Sequence, residues 1–217
     1  AAHLGQSQYL EKAGRLLAKF APRPDETGIE AIRHMTLIHT TLPIANQGLE
    51  RCLELLQVNP HSQPIDFLRI HALRFDSASQ EHEKRAVLEE CAEVFDLNDN
   101  SQLEIYCRWL GRLRAFPLLL KKLPAARARR HEELFKLRMN ALAVLDRRDD
   151  MKNELANAPA ISSQWKLIIS VRLHSISGDF DKAAADLDQL LQKVRKDTHR
   201  VLSTCRYLEA SGDIRSL

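Results

Sequence analysis

Apolar residues return every three or four positions along most of the chain, the spacing that lines one face of a helix. The first such run predicts a helix over residues 3–20, through Leu4, Tyr9, Leu10, Leu16, Leu17 and Phe20. Ala21-Pro22-Arg23-Pro24-Asp25 ends it, because proline removes an amide donor and restricts the residue before it. The period resumes at Ile29, Ile32, Met35 and Ile38. Pro43 suits the first turn of a third helix, which carries Leu49, Cys52, Leu53 and Leu56 and stops at Asn59-Pro60. Two more helices are predicted from about Pro64 to Phe75 and from about Ser79 to Phe95, closed by the turn Asp96-Leu97-Asn98-Asp99-Asn100. Another follows through Leu103, Tyr106, Trp109, Leu110 and Leu113. Pro117 and Pro124 bracket a short apolar helix, and a long one runs from about Arg129 to Arg147 through Leu134, Phe135, Met139, Leu142 and Leu145. Asp149-Asp150-Met151 opens a brief helix ending near Ala158-Pro159. Two helical pairs around Gly178 and Gly212 complete the chain. No segment alternates with period two for long enough to predict a strand. The expectation is an all-α fold in which short loops make consecutive helices antiparallel neighbours, running as one array over residues 1–217 with no long linker.

Within this pattern, Ser177-Gly178-Asp179-Phe180 recurs as Ser211-Gly212-Asp213-Ile214. The displacement, about 34 residues, is the length of a helix-turn-helix solenoid unit. In the unit Gln164–Asp197, Gly178, Phe180 and Ala183 stand at an inter-helix turn, an aromatic position and a small-residue position. Glycine accepts a left-handed turn, and a small side chain lets two helices approach closely. These residues resemble the tetratricopeptide repeat family. A second unit, residues 29–62, ends in the family's closing pattern of an apolar helix stopped by proline, with Gly48 at the small-residue position and Pro43 in place of the turn glycine. A third begins near Thr198 and runs out at Leu217 inside its second helix. The chain also starts without Met, so a piece of a longer protein is expected. Between about 63 and 160 the match is carried by helix pairing alone. The Leu110-Gly111 dipeptide fits the family, whereas Asp149-Asp150-Met151 stands too close to Gly178-Asp179-Phe180 for a full repeat.

The resemblance implies a right-handed α-solenoid that binds a peptide in a concave groove lined by first helices. Its groove positions fall on Trp165 and His199, Ile169 and Ser203, and Arg172 and Arg206. Two arginines one repeat apart could clamp an acidic segment or a carboxylate; the alternative is that both are simply solvated. The family's carboxylate-binding version carries Lys and Asn at several of these places. Trp, Ile, His and Ser stand there instead, which argues against capture of a chaperone tail.

Charge alters this picture at one place. Arg108, Arg112, Arg114, Lys121, Lys122, Arg127, Arg129 and Arg130 fall in a single stretch, 108–130, that holds no Asp or Glu. The rest of the chain has 24 basic against 29 acidic residues, so a net charge of +3 conceals a strong segregation. Such a patch fits nucleic-acid phosphates, an acidic protein or anionic lipid, or else basic side chains covering apolar helix surface. No recognisable nucleic-acid motif accompanies it, and Trp109 and Phe116 have the spacing of core residues.

Other chemistry is sparse. Cys52, Cys91, Cys107 and Cys205 form no C-x-x-C pair and sit among apolar neighbours, as reduced buried thiols of a cytosolic protein would. His34 and His39 are five apart, and His131-Glu132-Glu133 lacks a second histidine, so no metal site is predicted. His39 and His174 share an internal repeat position and read as partly buried. No phosphate-binding loop, dinucleotide fingerprint or nucleophile elbow occurs. Glu89-Glu90, Glu132-Glu133 and Asp149-Asp150 read as solvated faces or helix starts, the last favoured by the helix dipole. No apolar run approaches the roughly 20 residues that span a bilayer. The expectation is therefore a bacterial, cytoplasmic scaffold or adaptor, neither enzyme nor cofactor protein, binding a peptide or protein partner, of which an acidic one is one option. The alternatives are a nucleic-acid-associated module using residues 108–130 and a sensor or regulatory domain of a larger regulator.

Overall fold

Helix propensity and helix-period burial act together on this chain, and the described residues form helices joined by short turns. A computed structural model describes residues 2–41 and 46–194, and every regular element among them is an α-helix. In order these are α1 (Ala2–Leu17), α2 (Glu26–Thr41), α3 (Asn46–Val58), α4 (Pro64–Ser77), α5 (Glu81–Glu93), α6 (Asn100–Arg112), α7 (Phe116–Lys122), α8 (Ala125–Ala128), α9 (Glu132–Val144), α10 (Arg148–Ala156), α11 (Ser163–Ser177) and α12 (Phe180–Val194). The all-α expectation holds among these residues. The chain divides into two compact units, Ala1–Tyr106 and Cys107–Leu217.

In the first unit, α2, α3 and α4 close around Ile29, Ile32, Leu49, Cys52, Leu56 and Ile70. Of the residues that predict α2 and α3 from their spacing, Ile29, Ile32, Ile38, Leu49, Cys52 and Leu56 are buried, and Met35 and Leu53 are partly buried. The Pro22–Pro24 break is held by capping. Asp25 Oδ1 accepts the Gly28 amide at 3.0 Å, and this bond holds the Asp25 carboxyl below its ordinary range. Buried Asn59, at the end of α3, donates to the carbonyls of Arg23 (3.0 Å) and Asp25 (3.3 Å). At the start of α4, Asp66 accepts the Gln63 amide at 3.1 Å and a two-pronged contact from Arg33 at 2.8 and 3.0 Å. One buried carboxylate thus caps α4 and ties it to α2. The bonds to Asp66 and Glu30 hold Arg33 above its ordinary value.

His71 of α4 is buried, with Nδ1 3.5 Å from Arg74 Nη1, which itself pairs with Glu90. Burial, with Arg74 assisting against the opposing pull of Glu90, pushes the imidazole down to about 4. An unfolded histidine titrates near 6.5, so between these values the unfolded chain binds the extra proton. Stability from this group is complete above about pH 6.5 and is lost as pH falls towards 4. We expect a loss of about 2 kcal/mol between pH 7 and pH 5 from His71 alone. Urea unfolding at the two pH values should show it, and His71→Leu should remove that part of the loss. An unaltered pH slope in the variant would mean that another group titrates.

The second unit repeats a single device. α6, α9 and α11 each end on a residue in the left-handed region: Arg114 (φ 57°), Asp146 (φ 54°) and Gly178 (φ 77°), evenly spaced along the chain. In each case the next amide returns to a carbonyl five residues back, Ala115 to Leu110, Arg147 to Leu142 and Asp179 to His174, all at 2.9 Å. This is the six-to-one bond of a Schellman cap. The following helices start two residues later, at Phe116, Arg148 and Phe180. Their inward residues Leu119, Met151 and Ala183 keep the same even spacing and are almost fully buried. The counterpart of Gly178 in the preceding pair is therefore Asp146, and the short step suggested by Asp149–Met151 gives way to a regular one.

Pro124 divides the second helix of the first of these pairs into α7 and the four-residue α8. The Arg129-Arg130 turn then delays α9 to Glu132 rather than Arg129. Arg138 of α9 answers the break. Its Nη1 donates to the carbonyls of Leu120 (3.2 Å) and Leu123 (2.6 Å), and its guanidinium pairs at 2.8 Å with the buried carboxylate of Glu154 on α10.

Candidate interaction face

The sequence singles out two sets of residues, and the second unit brings members of both together. Arg108 and Arg112 lie near the end of α6, Arg114 on its cap, Lys121 and Lys122 at the end of α7, Arg127 in α8, and Arg129 and Arg130 in the next turn. Trp165 and Arg172 lie on α11. His199, Ser203 and Arg206, with the repeat around Gly212, lie outside the described residues, as do Pro43 and Cys205.

The register set by the left-handed caps places Glu133 of α9 level with Trp165, and Asn140 level with both Arg108 and Arg172. Arg172 meets Asn140 at this level, whereas Arg108 reaches Glu133, two turns before Asn140. Arg108 Nη2 donates to Glu133 Oε2 at 2.9 Å, joining the end of α6 to α9. Lys136 donates to the other oxygen of Glu133 and lies 3.3 Å from Glu132. Its ammonium stands 3.8 Å from the centroid of the Trp165 ring, where the ring quadrupole attracts it. Glu132 accepts the Ser162 amide at 3.3 Å, and Ser162 Oγ accepts the Trp165 amide at 3.4 Å, capping α11. Further along α11, Arg172 Nη1 donates to Asn140 Oδ1 at 2.8 Å. Acids, bases, an indole and an amide thus tie α6, α9 and α11 into one ladder.

Burial sorts these groups by role. Arg172 is only 7% exposed, so its guanidinium is engaged inside the ladder rather than displayed to solvent. Ile169, also assigned to the groove, is 1% exposed and belongs to the core. Trp165 is half-buried against a cluster of Ile168, Val171, Leu190 and Val194. The Arg108 and Glu133 side chains stay about half exposed. Burial raises the Glu132 carboxyl, but bonds from Ser162 and Lys136 outweigh it and leave the group below its ordinary range. Sequence reasoning does not mark Lys136, Glu132 or Glu133 as site residues. A local signal is present: two acids three and four positions before a lysine share one helix face. What that face meets is Trp165, on the next helix but one, and no local pattern reveals it.

The remaining candidates are ordinary in their surroundings. Cys52, Cys91 and Cys107 are buried and free, and burial pushes their thiols up to about 11, 12 and 12. Too little thiolate exists at neutral pH for nucleophilic chemistry. His39 and His174 are both partly buried; His174 lies 3.7 Å from each of Asp179 and Asp186. Asp149 and Asp150 occupy the first turn of α10. Among the described residues no group of His, Cys, Asp and Glu is placed to hold a metal ion, and no helix is long and apolar enough to cross a membrane. No protein-family model, no curated protein and no solved structure matches the chain.

Proposed function

We propose that this chain is a protein–protein interaction module, an α-solenoid of antiparallel helix pairs similar to tetratricopeptide arrays. The observation that carries the reading is the left-handed cap recurring at even spacing at Arg114, Asp146 and Gly178. A cap repeated at constant spacing, with a buried residue at constant distance after it, is what a stack of like units requires. First helices of such a stack line a continuous surface. Here that surface carries Arg108, Glu133 and half-buried Trp165; arginine and tryptophan are residue types enriched among interface anchors. The family resemblance assigns His199 and Arg206, outside the described residues, to the corresponding sequence positions.

The test uses the chain as bait, with crosslinking to identify a partner and titration to measure its affinity. Glu133→Lys and Trp165→Ala should each weaken binding by about tenfold. Asp188→Lys, on the exposed side of the second helix α12, should leave it unchanged. Equal affinity for all three folded variants would remove the first-helix surface from the interaction. A partner that binds only through the basic segment would do the same.

A further inference from the structure

We propose that the segment from Arg112 to Arg130 is a second interaction surface, separate from the ladder, which binds the phosphate backbone of duplex nucleic acid without reading sequence. The structure divides the eight cations of the sequence into two groups. Arg108 is neutralised by Glu133, and Arg127 is also engaged. Arg112, Arg114, Lys121, Lys122, Arg129 and Arg130 make no ion pair or side-chain hydrogen bond among the described residues. Exposed cations elsewhere are of both kinds: Arg15, Arg23, Arg51, Arg85, Arg147 and Arg148 each have a carboxylate partner within 4 Å, whereas Lys12, Lys19 and Arg69 have none among the described residues. What sets this segment apart is density: Arg112, Arg114, Lys121 and Arg130 are exposed, Lys122 and Arg129 partly so, and the stretch that holds them contains no Asp or Glu. The acids that follow the segment in sequence cannot serve it. Glu132 holds Lys136 and the Ser162 amide, and Glu133 holds Arg108 and Lys136.

The local fold concentrates these charges. α7 is seven residues long, about 10 Å of helix, and separates Arg112 and Arg114 from Lys121 and Lys122. The break at Pro124 and the short α8 then bring in Arg129 and Arg130 after only a few more residues. Had the second helix run straight from Phe116, the later cations would lie progressively further along one rod. Lys121 and Lys122 also occupy the last turn of α7, where the helix dipole favours cations.

The kind of partner follows from what the surface lacks. Trp109 and Phe116 are both buried, so no aromatic ring is offered for stacking on an unpaired base. None of the exposed large apolar residues falls between 108 and 130. A protein partner gains most of its affinity from apolar and aromatic anchors, and a lipid surface from inserted apolar groups. Unpaired cations at high density suit a polyanion of regular charge spacing, and a duplex supplies one.

Fluorescence anisotropy of the full chain with a labelled 25-bp DNA duplex of each of two unrelated sequences, and with a 25-bp RNA duplex, tests this. Both DNA sequences should bind alike, within about twofold. If about four phosphates are neutralised, affinity should fall roughly 100-fold between 50 and 200 mM salt. The Arg112→Gln/Lys121→Gln/Arg130→Gln variant should bind at least tenfold more weakly at 50 mM salt, with its salt slope reduced by about 3. Each single variant should lower the slope by about 1, and Arg51→Gln, a paired arginine elsewhere, should change nothing. The DNA and RNA arms decide which duplex is preferred. Absence of binding at 20 mM salt, or full affinity in the triple variant, would overturn the proposal. Displacement of the duplex by poly-glutamate at equal charge concentration would overturn it in favour of an acidic protein partner.

Discussion

Arg138→Ala is expected to lower the unfolding free energy by about 4 kcal/mol, read as a fall in the urea midpoint at constant slope. The side chain holds two things at once. Its guanidinium is the counter-ion of Glu154, whose side chain is 4% exposed, and it also fills the carbonyls left open where Pro124 breaks the helix. Alanine would strand a buried carboxylate without a partner, which costs several times what the pair itself contributes. A double variant separates the two roles. In Arg138→Met/Glu154→Leu no charge is left stranded, and the loss should shrink to about 2 kcal/mol, set by the open carbonyls. An undiminished loss in the double variant would show that helix-break capping, not charge pairing, dominates.

Gly28→Ala is expected to cost about 3 kcal/mol, although alanine is the better helix former. A Cβ built at Gly28 would lie 1.9 Å from the Arg23 carbonyl oxygen and 3.2 Å from Asn59 Nδ2. The first of these is backbone and has no rotamer to yield. The entry to α2 must move, and the Asn59 bonds to Arg23 and Asp25 move with it. Gly14 provides the contrast. Its nearest neighbour would be Ile38 Cδ1 at 4.0 Å, so Gly14→Ala should gain up to about 1 kcal/mol. Thermal or urea unfolding of both variants should give opposite signs. A neutral Gly28→Ala would mean that the α2 entry relaxes freely.

The helices are legible in the sequence because their apolar spacing and their burial have one cause. Leu103, Tyr106 and Leu110 predict α6, and each is fully buried. Prolines and Asp or Asn turns mark most of the ends. The repeat is only partly legible, for a reason specific to its cap. A left-handed residue is easiest for glycine, tolerable for aspartate and unfavourable for arginine. Gly178 announces the position, Asp146 can pass for part of a helix start, and Arg114 carries no signal at all. The short α8 escapes notice because Pro124-Ala125-Ala126-Arg127-Ala128-Arg129-Arg130 has no apolar period to read. The helix that carries the assigned groove residues is legible, and their exposure is not. Trp165 and Arg172 are on the expected helix, but whether a guanidinium reaches solvent or is engaged inside depends on Asn140, 32 residues earlier in the chain. Charge pairing is hidden in the same way. Eight cations in a row of letters look alike, and only the fold reveals that Arg108 has found Glu133 while Arg112 and Lys121 have found no carboxylate among the described residues.

Among the described residues, the strong helix–helix contacts join elements no more than two places apart along the chain. Contacts so local need little loop closure before they form, which places the rate-limiting step of folding in the microsecond to millisecond range for such topologies. On the ribosome, α11 needs only α9 and α10, already made, and α12, which follows it. Synthesis at roughly 5–20 residues per second is far slower than that step. Within each unit a helix can therefore settle against its neighbours while the next is still being translated, and little apolar surface waits exposed for a distant partner.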